Sequence, residues 1–547
     1  MSLLFRVLLS FALATVSLNS LAAENQYDQA ADIAQLAQLE NEGMHYILLK
    51  SRVQDLSAQW APFADQLDAF GSARYLELKP LILEASIADL QAAVAAGDLD
   101  YETITTFYLY RIREIERDNS RFLNGVIALN PAAIERARGL DTARRQALEM
   151  DRDPIYGIPV LLKDNINAAG MATTAGAVAL LENHTGDAFI TEQLRDKGAI
   201  ILGKANLSEW AYFFCGDCPS GYSAMGGQTL NPYGRLVFGT GGSSAGSGAT
   251  IAANYAAVAV GSETSGSILS PASANSLVGL KPTTGSLSRS GVIPISGSLD
   301  TTGPMTRNVA DVVVLFNAMA GYDEADIAMP LLSDGYSLEY REQPLTGKRL
   351  GALSPFLDNL FFNDALGVLS EDGAVIVDVE MPDYDREGFG ELLGAEMIRD
   401  LALYLENHGA EQLPIDSVSS LQQFNLQDMN VRAPYGQSEV DTMVEMEMTP
   451  AELEALRERL QSGAKALMES MFSDSDVLAL LSVNNSTAGF AALANYPALT
   501  IPMGYEDNGR PVGLTIIAPS FNEQVLIDIG ARFEALTQAR QIPADYR

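Results

Sequence analysis

Histidine is scarce in this chain. Only His45, His184 and His408 occur in 547 residues, which leaves little material for imidazole metal centres or imidazole-driven proton transfer. Cysteine is scarcer still: Cys215 and Cys218, spaced C-G-D-C. Two cysteines exclude a disulfide framework and a cysteine-ligated zinc site, both of which need more ligands. They leave open a small disulfide ring or a pair of free thiols. Positive charge is also short, with 35 Lys+Arg against 70 Asp+Glu and a net charge of −35. Such a field disfavours nucleic acid and anionic membranes as partners. No stretch after the first residues reaches the roughly eighteen apolar residues of a membrane-spanning helix. Internal repeats and low-complexity tracts are lacking as well.

What is present is apolar material for a large core, 47% of the residues. The length suits one large domain or two to three ordinary ones. Residues 1–23 read as an export signal. Arg6 supplies the positive start, 7–16 form a short apolar run, and SLAA (20–23) offers cleavage after Ala22 or Ala23. The expected destination is the periplasm or the medium, without stable membrane association. Residues 24–82 carry apolar residues at helical spacing and predict an N-terminal helical extension packed on the main domain. Ser86 and Asp89 make the pattern of a capping box at the head of SIADLQAAVAAGD. Short apolar strands such as IPVLLK, AIILG, SLVGLKP and DVLALLSV then alternate with helices. The alternation predicts an α/β domain over 83–540, with a mixed sheet covered by helices. Residues 322–475 break the rhythm, are rich in Asp and Glu, and predict a helical insertion or cap.

The most informative stretch runs from 239 to 271, GTGGSSAGSGATIAANYAAVAVGSETSGSILSP. As a phosphate loop it fails, because no Gly-Lys-Ser/Thr follows its glycines. As a dinucleotide loop it fails because Ser244 stands where a third glycine belongs. GSSAG (242–246) formally fits a nucleophile elbow, but that chemistry needs a histidine later in the chain. Only His408 qualifies, and LYLENHGAE puts it at a helix end. SGAK (462–465) fits a short Ser-x-x-Lys pattern on what reads as a solvated helix face.

One other base is at hand. Lys163 ends the apolar strand in IPVLLKDN (158–165). Burial disfavours an ammonium, so a lysine placed there can be neutral and accept a proton. Ser267 can then attack while Ser243 relays its proton to Lys163 and later delivers one to the departing amine. The structural alternative makes Lys163 a core lysine paired with Asp164, and Ser243 and Ser267 ordinary turn serines.

These residues resemble the amidase signature family over roughly 85–536. The resemblance is carried, in order, by YGIPVLLKDNI, ANLSEW, GGQTLNPYG, GGSSAGSGA, GSETSGSILSPA, LVGLKPTTG, DTTGPMTRNVAD and YPALTIPMG. Within the family the chain is most similar to bacterial peptide amidases. The resemblance implies an α/β/α sandwich and a Ser–cis-Ser–Lys triad: Ser267 as nucleophile, Ser243 as the bridging serine behind a non-proline cis peptide, Lys163 as base. It implies an oxyanion hole from the backbone N–H groups of Thr264, Ser265, Gly266 and Ser267, support from Ser244 and Asp300, and neither metal nor cofactor. Two positions depart from the common pattern, Glu263 where many members have Asp and Leu269 where many have Arg. The missing arginine speaks against the glutamine-hydrolysing subunit of transfer-RNA amidation. Cys215 and Cys218 fall in the loop after ANLSEW, which borders the substrate channel in the family. The expected reaction is hydrolysis of a carboxamide, foremost a C-terminal peptide amide, through an acyl-serine. Fatty, aryl or other small amides, esters, and a non-catalytic relative stand as alternatives.

Overall fold

The structure, a computed structural model, describes residues 27–147, 151–330 and 336–547. The expected signal at 1–23 lies outside them. In chain order the strands are β1 (Val126–Leu129), β2 (Pro159–Lys163), β3 (Ile200–Ala205), β4 (Tyr222–Ser223), β5 (Gly227–Gln228), β6 (Val258–Glu263), β7 (Val278–Lys281), β8 (Thr301–Thr306), β9 (Arg349–Leu353), β10 (Val375–Val379), β11 (Ala479–Val483), β12 (Ala498–Tyr505) and β13 (Pro511–Ile517). Eleven of them form one sheet in the order β1-β3-β2-β6-β8-β7-β12-β13-β11-β9-β10, while β4 and β5 pair separately. The sheet is mixed: β2 runs parallel to β3 and β6, β9 parallel to β10 and β11, and the other pairs are antiparallel. Helices cover it. Strands such as β2 and β3 are buried along their whole length, which is why they read as unbroken apolar runs.

Parallel pairing of β2 with β6 places Lys163 and Glu263, the last residues of each strand, at the same edge of the sheet. Side chains gather there in many wound sheets, because the connecting turns converge at the strands' carboxyl ends. The small residues of GGSSAGSGA let a helix (Ala245–Ala252) lie against this edge with every residue buried. A Cβ on Gly246 would run into the backbone of Asn206 and Gly125. Gly246→Ala is therefore expected to cost about 3 kcal/mol of stability by overpacking, read as a lowered urea midpoint.

The capping box forms as its residues suggest: Ser86 Oγ accepts from Asp89 N at 3.1 Å, and Asp89 Oδ2 accepts from Ser86 N at 3.0 Å. The helices of 27–82 bury Leu36, Trp60, Phe63, Leu67, Leu78 and Ile82 in the same core as β2 and β6. One expectation needs correction. Residues 322–475 are not a purely helical insertion, because β9 and β10 lie there and extend the main sheet. β9 is mostly buried between β11 and β10, while β10 is the half-buried outermost strand. The helical part is later, with Phe389–Asn407 and Pro450–Ser475 its longest members. The motif DTTGPMTRN also hides β8, where Gly303 and Pro304 mask a strand in the sheet interior. Among the described residues no helix is long and apolar enough to cross a membrane.

Candidate active site

Lys163 and Ser243 are fully buried, and Lys163 Nζ lies 2.7 Å from Ser243 Oγ. The peptide bond between Gly242 and Ser243 is cis. Lys163 Nζ also reaches the Ser262 carbonyl at 3.1 Å and Ser262 Oγ at 2.9 Å. Asn165 Nδ2 donates to the same Ser262 hydroxyl at 2.9 Å. Burial pulls Lys163 down to about 7, against the opposing attraction of Asp300 and Glu263. The alternative pairing with Asp164 does not occur. Asp164 pairs instead with the buried Lys204 at 3.3 Å and accepts from Thr174.

These contacts suit a neutral amine, which has two N–H groups and one lone pair. The Ser262 carbonyl can only accept, and Ser262 Oγ already accepts from Asn165. Donating both N–H groups to Ser262 leaves the lone pair for the Ser243 hydroxyl. Sequence reasoning passed over Ser262 and Asn165. Their signal was faint: a hydroxyl interrupting the apolar strand VAVGSE, and an amide two residues past the lysine.

The second turn sits beside the first. Ser244 N donates to the Ser267 carbonyl at 3.1 Å, and Ser244 Oγ donates to the Ser262 carbonyl at 3.1 Å. These two contacts hold the serine turns together. Ser267 is only partly buried, unlike Lys163 and Ser243, so its hydroxyl can meet a ligand from solvent.

Glu263 folds under the second turn, accepting from Gly266 N at 2.7 Å, Ile268 N at 2.7 Å and Leu269 N at 3.0 Å. This corrects the expected set of four oxyanion donors. The Gly266 N–H is spent on Glu263, whereas those of Thr264, Ser265 and Ser267 have no protein acceptor among the described residues. Asp300 takes the Thr264 hydroxyl on one oxygen, and Ile295 N (2.8 Å) and Ser296 N (2.9 Å) on the other. It thereby ties the 295–300 loop to the turn. Burial pushes Asp300 up to about 6, and these donors oppose the shift.

Cys215 and Cys218 form a disulfide with Cα atoms 5.4 Å apart. Their loop rests on the later helical segment, where Gly216 N donates to Ser438 Oγ at 2.9 Å. His408 caps the helix Phe389–Asn407, its N–H donating to the Tyr404 carbonyl at 2.8 Å. Ser462 bonds back along its own helix, and Lys465 lies 4.0 Å from Glu469 on an exposed face. Neither SGAK nor His408 joins the serine turns.

A model of the amidase family matches residues 104–480. The chain belongs to the amidase signature family. It is an enzyme that hydrolyses the carbon–nitrogen bond of carboxamides. A probable amidase from Arabidopsis thaliana is 34% identical over 500 residues, 86% of this chain and 94% of that protein. Among solved structures, an amidase family protein from Bacillus anthracis is 35% identical, with a TM-score of 0.85 over 90% of this chain and 99% of that one. The peptide amidase of Stenotrophomonas maltophilia is 40% identical, with a TM-score of 0.78 over 84% of this chain and 98% of that one. In this amidase the departure at Leu269 is fully buried among apolar side chains such as Leu299, Phe490 and Ile517.

Proposed function

We propose that this amidase is an exported peptide amidase working through Ser267, Ser243 and Lys163. The observation that carries the reading is the 2.7 Å contact between a buried, carboxylate-free Lys163 and Ser243, beside the Ser267 turn. Neutral Lys163 takes the Ser243 proton as Ser243 takes that of Ser267. Ser267 Oγ attacks the carboxamide carbon, and the developing oxyanion is met by the N–H groups of Thr264, Ser265 and Ser267. Ser243 then returns a proton to the nitrogen, the C–N bond breaks, and ammonia leaves. Water attacks the acyl-serine through the same relay, releasing the acid and restoring Ser267. The peptide-amide substrate is favoured by the likeness to a peptide amidase over most of both chains.

The test is ammonia release from a panel of C-terminally amidated dipeptides, free glutamine and asparagine, and long-chain fatty amides. Release from the dipeptide amides ahead of the rest is expected. Preference for any other member would discard the substrate class and keep the chemistry. Export is supported by the signal-like start and by the Cys215–Cys218 disulfide, since such bonds persist in oxidising compartments. Protein recovered outside the cytoplasm is expected to begin at Ala23 or Glu24, as read by N-terminal sequencing. An intact Met1 on the recovered protein would refute cleavage.

A further inference from the structure

Asn485 lies far along the chain from the serine turns, yet its side chain faces one of them. A carbon added at Gly266 would sit 3.3 Å from Asn485 Nδ2 and 3.3 Å from Ala488 Cβ. Asn485 is exposed, and its amide makes no hydrogen bond among the described residues. Its donor and its acceptor are therefore both free beside the residue that precedes Ser267.

The space next to it is walled. A carbon added at Gly489 would lie 3.3 Å from Ser265 Oγ and 3.5 Å from Tyr384 Oη. The Tyr384 ring stacks on buried Phe490, with centroids 4.2 Å apart and planes at 16°. Arg459 fastens the Tyr384 loop through Asp385 and the Glu387 carbonyl. An aromatic wall and an unengaged amide thus flank the turn that carries Ser267.

Cleavage of a terminal carboxamide releases only ammonia, so all the rest of the substrate stays on the acyl side. In a peptide amide the group preceding the last residue is a peptide unit, carrying one N–H and one carbonyl. In a trans peptide the two point to opposite sides, so one primary amide side chain can engage one of them, whereas an alkyl or aryl chain offers it no hydrogen bond. Resting on the peptide-amidase reading above, we propose that Asn485 is a specificity-determining residue that reads this peptide unit. Its Oδ1 accepts the unit's N–H.

The test uses three substrates, with ammonia as the readout. They are an N-acetyl dipeptide amide, its analogue with the internal peptide N–H replaced by an ester oxygen, and hexanamide. Wild type is expected to favour the peptide amide over the ester analogue by about tenfold in kcat/KM. In Asn485→Ala that preference is expected to fall below about twofold, and the peptide-amide to hexanamide ratio to fall by about tenfold. The wild-type comparison needs no variant, so it stands even if Asn485→Ala folds poorly. Equal rates on peptide amide and ester analogue would overturn the inference. Proportional losses on peptide amide and hexanamide in Asn485→Ala would also overturn it, by showing a merely structural role. Ammonia from hexanamide but not from the peptide amide would overturn the peptide-amidase reading and this inference with it. Peptide-amide hydrolysis undiminished in Asn485→Ala would overturn this inference alone.

Discussion

Ser267→Ala is expected to lower kcat/KM toward amides by about 10⁴–10⁶-fold, the scale of losing a nucleophile whose partners act as a unit. Stability should hardly change, within about 0.5 kcal/mol, because little depends on that hydroxyl. Ser267 is partly exposed, and its carbonyl, not its side chain, carries the contact to Ser244. The pairing of a large catalytic loss with an unmoved urea midpoint separates a nucleophile from a turn serine. A fluorophosphonate probe should label wild type and not the variant. Retention of a tenth of the activity, or labelling of Ser267→Ala at full yield, would remove Ser267 from the role.

Lys163 carries the second large effect. As a proton acceptor it must be neutral, and burial holds it down to about 7. For an uncharged amide, kcat/KM is therefore expected to rise about tenfold per pH unit below 7 and to level off above it. Lys163→Met should lose about 10²–10⁴-fold in activity and lose that step in the profile. Asp300, at about 6, titrates nearby and also raises Lys163 by its charge. Asp300→Asn removes that attraction, so the step should persist and move to lower pH. A step that vanishes in Asp300→Asn would assign it to the carboxylate instead. Stability follows the same linkage. Folding depresses the lysine's pKa, so between about 7 and its unfolded value the unfolded chain binds the extra proton. Wild-type stability should thus gain on that of Lys163→Met by about 1.4 kcal/mol per pH unit as pH rises from 7, measured by urea titration up to pH 9.

Much of this was legible in residues. The small-residue run, the lysine ending an apolar strand and the order of the motifs identify the family, because each motif is local and its chemistry needs those residue types. The alternation of IPVLLK, AIILG and SLVGLKP with helices marks the sheet, because strands buried on both faces must be apolar throughout. Legibility failed where the pattern was diluted. β8 carries Gly303 and Pro304, which break the apolar run that marks the others.

Composition and motif order by themselves determined the family and the fold class, and singled out one lysine and two serines as candidates. Only the tertiary structure decided which partner each group takes. Asp164 goes to Lys204 and leaves Lys163 without a carboxylate, Ser262 takes the amine's N–H groups, and Glu263 takes the Gly266 N–H. Asn485 arrives beside that turn from more than two hundred residues away. The reason is physical: residue type sets what a group can donate, accept or titrate, whereas partners at hydrogen-bond distance and the burial that shifts a pKa exist only once distant strands share one sheet edge.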